Sequence, residues 1–219
     1  MEYIGKEKEK IDYASGVEVN HYPDNDKSRS NYLPLLELSV EEMPEDNRNV
    51  HYLGREYMYY EMWDKSIEML QKHLNLKTAT WKDERCASMR YIARCYQNKG
   101  DIQNARGWLY KAIVEAPYLR EPYVELALLE YEQKNFVATL HICLEALKIE
   151  QKSMSYINDN FAWNATIYDL CSISYYNIGL IDKALECSNK AIALEPDNER
   201  IKGNNLYFKK EIDNKDGQK

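Results

Sequence analysis

The sequence has few helix-breaking residues and no long apolar run. Its 219 residues include only 8 glycines and 6 prolines, and this scarcity favours helices over a sheet with many turns. No stretch approaches the roughly 18 consecutive apolar residues that a membrane-spanning helix needs. The opening residues, "MEYIGKEKEKIDY", lack the apolar region of a secretory signal. We therefore expect a helical, cytoplasmic protein without a membrane span.

The sequence also lacks an excess of basic residues. It has 29 Lys and Arg against 36 Asp and Glu, which gives a formal net charge of −7. General nucleic-acid binding depends on a basic surface that neutralises phosphates. This charge balance therefore argues against a nucleic-acid partner.

Motifs for metal binding and catalysis are missing as well. The five cysteines form no Cys-x-x-Cys pair, and the four histidines form no His-x₃-His pair. There is no glycine-rich phosphate loop and no recognisable nucleophile motif. We interpret the cysteines as reduced core thiols. We expect that this chain alone is not an enzyme and that it holds no cofactor and no metal.

What the sequence does contain is an internal repeat. The stretch "KGDIQNARGWLYKAIVEAP" at 99–117 aligns without a gap with "IGLIDKALECSNKAIALEP" at 178–196. The alignment places Gly100 on Gly179 and Pro117 on Pro196, and alanines on alanines between them. An apolar helical pattern precedes each glycine. Each unit is therefore predicted to be a helix, a tight turn and a second helix.

This unit resembles the tetratricopeptide repeat, a helix-turn-helix of 34 residues. Four registers agree with its template and begin at Asn47, Cys86, Arg120 and Ala165. Small residues recur where the two helices of such a unit approach closely. They are Gly54, Ala93, Ala127 and Ser172 in the first helices, and Ser66, Ala105, Thr139 and Ala184 in the second. The alternative is an irregular helical bundle that matches the pattern by chance.

We predict an all-α fold, a right-handed superhelix of four such repeats with a capping helix at each end. The C-terminal cap would place Ile201, Leu206 and Tyr207 on its inner side. The predicted parts are an extended segment at 1–28, a capping helix at 29–46, repeats at 47–85, 86–119, 120–164 and 165–196, a capping helix at 197–212 and a disordered tail at 213–219.

A second resemblance concerns the N-terminal part. Val17 and Val19 alternate with polar residues, as in a short strand. The run "GVEVNHYPDNDKSRSNYLPLLELSVEEMPEDNRNVHYLGREYMYY" resembles the junction in bacterial family 2 glycosyltransferases that carry a C-terminal tetratricopeptide region. That resemblance implies that residues 1–28 hold a remnant strand of a missing catalytic half. We interpret Asp24-Asn25-Asp26 as a turn rather than a metal site.

In tetratricopeptide stacks the first helix of each unit lines a concave groove. Guanidinium groups bind carboxylates in a two-pronged manner, so arginines on this wall favour an acidic or carboxylate-ended partner segment. The alternative is that these arginines pair with Glu56, Glu61 or Glu84. Trp81 and Trp163 lie in the two long loops, where they either form groove rims or fasten those loops. The candidate groove residues are Arg48, His51, Arg55, Tyr59, Arg90, Arg94, Asn98, Tyr131, Tyr176 and Asn177.

These patterns predict a scaffold that binds a peptide or protein segment in its groove. The alternative is an accessory domain of a family 2 glycosyltransferase that positions an acceptor or mediates dimerisation, with the catalytic half as its partner. A third hypothesis is self-association into a homodimer through the end helices.

Overall fold

The computed structural model describes residues 32–216, which contain ten α-helices, one short 3₁₀ helix and no strand. The predicted extended segment at 1–28 lies outside the described residues. The helices are α1 Tyr32–Glu42, α2 Asn47–Tyr59, α3 Trp63–Asn75, α4 Lys82–Asn98, α5 Ile102–Glu115, α6 Glu121–Glu132, α7 Phe136–Leu147, α8 Thr166–Asn177, α9 Ile181–Leu194 and α10 Glu199–Asp216, and the 3₁₀ helix is Asn160–Ala162.

Four helix pairs, α2–α3, α4–α5, α6–α7 and α8–α9, repeat the same turn. In each pair, a residue with positive φ lies two positions before the second helix: Glu61, Gly100, Lys134 and Gly179, at 58°, 80°, 58° and 84°. In each turn, this residue and the one after it donate backbone hydrogen bonds to the last turn of the first helix. This is the Schellman termination, which needs a left-handed residue at that position.

Small residues allow the two helices of a pair to pack closely. In α2–α3, a Cβ atom added to Gly54 would lie 2.6 Å from Cγ of Leu70. The Ser66 hydroxyl donates a 2.8 Å hydrogen bond to the Gly54 carbonyl across the same contact. The equivalent residues of the later pairs are also buried: Ala93 and Ala105, Ala127 and Thr139, Ser172 and Ala184.

The stack curves with its first helices inside. Among the described residues, α2 contacts α4, α4 contacts α6 and α6 contacts α8, whereas no comparable contacts join the successive second helices. Because the first helices are closer together, they line the concave side of a superhelix, as in the predicted fold. We call this concave surface the groove.

A helix packs against each end of the stack. Leu36 and Val40 of α1 join the apolar cluster of α2. At the other end, α10 buries Ile201 and Phe208. The predicted inner side of α10 is wrong at Leu206 and Tyr207, which are 58% and 47% exposed. The helix also continues to Asp216, beyond the predicted end at 212.

Candidate functional site

The N-terminal half of the groove is covered by the chain itself. The segment 148–165, which connects α7 to α8, crosses the exposed faces of α2, α4 and α6, and we call it the groove loop. Near its start, the Ser153 hydroxyl donates a 3.2 Å hydrogen bond to Asp83 of α4. Near its end, the Trp163 indole donates a 3.0 Å hydrogen bond to Glu121 of α6.

Tyr156 holds the middle of the groove loop against the first two repeats. Its hydroxyl donates to Glu84 at 3.1 Å and accepts from Tyr52 of α2 at 3.4 Å. Its ring lies 5.3 Å, centroid to centroid, from that of Trp81. Trp163 thus fastens its own loop, as one of its two predictions stated. Trp81 packs on the groove loop instead of fastening its own loop.

Two arginines of α4 bind two carboxylates beneath the groove loop. Arg90 donates to Glu125 of α6 from Nε and Nη2 at 2.8 and 2.6 Å, and it also pairs with Asp159 of the loop. Arg94 donates from Nη2 to the same carboxylates, at 2.6 Å to Glu125 and 3.2 Å to Asp159. The chain therefore supplies its own carboxylates to the arginine pair that was predicted to bind a partner.

Burial and neighbouring charges shift the pKa values of these groups in opposite directions. Burial alone would raise the pKa of Glu125, but the charges and hydrogen bonds of Arg90 and Arg94 hold it below its usual value. Burial alone would lower the pKa of Arg90, but the charges of Glu125 and Asp159 raise it. Arg90, Arg94 and Glu125 therefore keep their charges at neutral pH. The formal charges of the two guanidinium and two carboxylate groups balance only while Asp159 is in place.

A buried chain of polar contacts links the groove loop to the first helix pair. Ser88 Oγ lies 2.7 Å from Nδ1 of His51 and 2.9 Å from Nδ1 of His73, and Nε2 of His73 lies 3.3 Å from Glu84. One placement of the hydrogens satisfies these three contacts. His51 donates to Ser88, Ser88 to His73, and His73 to Glu84. Tyr156 completes the chain by donating to the other oxygen of Glu84.

Ser88, His73 and Glu84 contact one another in the same sequence as the serine, histidine and carboxylate of a hydrolytic triad. Unlike the serine of such a triad, Ser88 is not accessible to a substrate. The relative exposure of Ser88 and His73 is 0%, and that of Glu84 is 3%. The Ser88 hydroxyl is also shared with a second histidine. In this conformation no substrate can reach it, so we interpret the cluster as a packed polar network.

The C-terminal half of the groove is open. One cavity of about 350 Å³ lies between α6, α8 and α10 and is lined by Tyr131, Ile173, Tyr176, Arg200, Asn204, Tyr207 and Phe208. The hydroxyls of Tyr176 and Tyr207 lie 2.8 Å apart, and the Tyr176 ring stacks on Phe208 at 5.2 Å. Arg200 makes two hydrogen bonds to Asp169, at 2.7 and 3.2 Å. Aromatic side chains therefore dominate this surface.

Comparison with solved structures supports the architecture described above. The chain is similar to MamA at 18% identity and a TM-score of 0.61, with 82% of this chain and 99% of that chain covered. It is similar to YrrB, described as a TPR protein with an unusual peptide-binding site, at 16% identity and a TM-score of 0.57, with 83% of each chain covered. A thermophilic TPR protein of Thermus thermophilus gives 17% identity and a TM-score of 0.51, with 82% and 89% covered.

The chain has the tetratricopeptide repeat fold. No family model and no curated protein matches its sequence. The similar structures give no support for the predicted relation to glycosyltransferases. None of the helices described between residues 32 and 216 combines the length and the apolar character needed to cross a bilayer.

Within this tetratricopeptide stack, the predicted groove residues divide into three groups. Tyr131 and Tyr176 line the open half, and Asn177 lies at its edge beside Tyr131 and Phe136. His51 and Arg90 are 0% and 1% exposed, which corrects the expectation that they line an open groove. Arg94 bonds to the groove loop, but it also lines a cavity beside Gln97 and Phe161.

The remaining predicted residues lie at the N-terminal edge or bond within their own helices. Arg48 and Tyr59 are exposed at the two ends of α2. The guanidinium of Arg55 lies over the Tyr52 ring, 4.9 Å from its centroid. Asn98 donates to the backbone carbonyl of Arg94 at 2.8 Å. The expected ion pairing applies to Arg90 and Arg94, but their partners are Glu125 and Asp159 rather than Glu56, Glu61 or Glu84.

Sequence reasoning missed the contribution of α10 and of the groove loop. Arg200, Asn204 and Tyr207 come from a helix that was predicted to cap the stack and was not assigned to the groove. Asp159 and Tyr156 come from an insertion with no repeat period. The available signal was the length of that insertion, since an 18-residue connection between helices is long for a compact domain.

Proposed function

We propose that this tetratricopeptide protein is an interaction scaffold that binds an extended protein segment in the C-terminal half of its groove. The observation that supports this proposal is the contrast between the two halves. The groove loop covers the N-terminal half, whereas the cavity lined by Tyr131, Tyr176 and Tyr207 is open.

The chemistry of the open half favours a segment with apolar and aromatic side chains. Flat aromatic rings offer a large contact area at a low cost in side-chain entropy, and such residues dominate the energetics of interfaces. The nearby charges are largely balanced, because Arg200 pairs with the buried carboxylate of Asp169. Similarity to YrrB, whose structure is described as having a peptide-binding site, is consistent with this use of the fold.

Panning of a displayed random peptide library on the immobilised protein tests this proposal. We expect selected peptides to lose at least tenfold in affinity, or ~1.4 kcal/mol, in Tyr131→Ala and in Tyr207→Ala. The matched control is Tyr110→Ala, because Tyr110 is 51% exposed on the second helix α5. Circular dichroism verifies that each variant is folded.

Selected peptides that bind all three variants with unchanged affinity would contradict the proposal. Equal losses in the Tyr110 control and in the two groove variants would also contradict it, since the effect would then not belong to the groove.

A further inference from the structure

The groove loop contacts the helices that would receive an external segment. It bonds to Tyr52 of α2, to Glu84, Arg90 and Arg94 of α4, and to Glu121 of α6. In sequence, these contacts join residues that are 38 to 104 positions apart. Apart from the 3₁₀ turn at Asn160–Ala162 the loop is irregular. It therefore lies in the groove as a bound peptide would.

Few side chains of the groove loop are buried against the helices. Among residues 148–165 only Ala162 and Ala165 are buried, and Met154 is 92% exposed. Ile157 and Phe161 are only partly buried against the helices. Segments with few buried apolar contacts open locally at a lower free energy than the whole fold. We therefore expect the part of the loop before Ala162 to open at a lower free energy than the helix pairs unfold.

Removal of the loop would leave a charge imbalance. Without Asp159, the two guanidinium groups of Arg90 and Arg94 would share the single carboxylate of Glu125. Arg90 is almost fully buried, and a buried charge without sufficient compensation is strongly unfavourable. A segment that replaces the loop must therefore supply a carboxylate at the position of Asp159.

We propose that the Arg90–Arg94 pair is a recognition site for an acidic, tyrosine-containing protein segment, and that the groove loop occupies this site as an internal competitor. The loop side chains that occupy the site indicate which groups an external segment must provide. A tyrosine hydroxyl at the position of Tyr156 donates to Glu84, and a carboxylate three residues later binds both arginines. This inference shares with the proposed function the premise that the groove receives extended segments, but it concerns the opposite half.

The probe for this site is a fluorescein-labelled peptide, "EQKSMSYINDNFAW", which reproduces residues 150–163 with blocked ends. Fluorescence anisotropy measures its binding to the wild type, to Asp159→Asn and to Glu150→Gln. Glu150 is an exposed acidic residue of the same loop and provides the matched control. We expect Asp159→Asn to bind the peptide at least tenfold more tightly than the wild type and the control do.

A second variant covers the case in which Tyr156 keeps the loop of Asp159→Asn in place. In it, residues 151–161 are exchanged for a Gly-Ser segment of equal length, which removes the side-chain contacts of Ser153, Tyr156 and Asp159 without shortening the connection and leaves Trp163 bonded to Glu121. This variant is also expected to bind the peptide at least tenfold more tightly than the wild type. Adding Arg94→Gln to it, or replacing the peptide's aspartate by asparagine, should abolish that gain.

Equal peptide affinity in the wild type and both variants would overturn the inference. A gain that does not depend on the peptide's aspartate or on Arg94 would also overturn it. Neither result bears on the open half, because the displayed-library test uses other peptides and Tyr131 and Tyr207. The two proposals can therefore fail separately.

Discussion

At the scale of single residues, the structure separates positions that local sequence determines from positions that depend on distant contacts. Gly54 was predictable, because close packing of a helix pair requires a small residue there, and a Cβ atom would meet Leu70. The position of Arg90 in its repeat was also predictable. Its partners were not, because Glu125 and Asp159 are 35 and 69 residues away and Asp159 lies in an aperiodic loop.

The buried His51 gives a prediction about acid stability. Burial, which is only partly offset by the charge of Glu84, lowers the pKa of His51 to about 3 from 6.5. Between these values the unfolded chain binds a proton that the folded chain does not bind. The free energy of unfolding must therefore fall as the pH drops from about 6.5 towards 3, at a slope of up to ~1.4 kcal/mol per pH unit.

His51→Asn removes this contribution while keeping an amide donor near Nδ1. Urea unfolding at pH 7 and pH 4.5 should show a loss of stability that is smaller than in the wild type by up to ~3 kcal/mol. Against the effect of burial, the hydrogen bond of His73 and the charge of His51 hold the pKa of Glu84 below its usual value, so Glu84 contributes in the same direction and His51→Asn also reduces its contribution. His141→Asn, at an exposed position on α7, is the control. An identical pH dependence in wild type and His51→Asn would contradict the account.

At the scale of elements, the helix pairs followed from the repeat, but two of the four turns carried no glycine signal. Glu61 and Lys134 have a φ of 58° at the position that Gly100 and Gly179 occupy in the other two pairs. The backbone hydrogen bonds around them are the same. The repeat geometry therefore imposes a left-handed residue on these turns regardless of the side chain, at an expected cost of roughly 1 kcal/mol.

Lys134→Gly tests whether the turn carries this strain. Glycine adopts a positive φ without steric cost, although it also gains freedom in the unfolded chain. We expect a net increase of ~0.5–1 kcal/mol in the free energy of unfolding, measured by urea titration. Lys134→Ala should change little, because it keeps a Cβ atom at the same φ. A decrease in stability for Lys134→Gly would contradict the strain argument.

At the scale of the whole molecule, four similar units produce a groove with two unlike halves. The repeat pattern predicted the stack and its concave side, because each unit places its first helix in the same way. It could not predict which half is open, since that depends on the path of residues 148–165 and on Arg200 and Tyr207 of the terminal helix α10. Both features lie outside the repeat.

The most direct test of the account is a map of backbone amide chemical shifts during titration with a library-selected peptide. We predict that the largest changes fall on residues 128–132, 169–177 and 200–208, around the open half. Little change is predicted at 52 and 90–94, which lie beneath the groove loop. Changes concentrated on α3, α5, α7 and α9 would show that binding takes place on the convex side and would contradict the central claim.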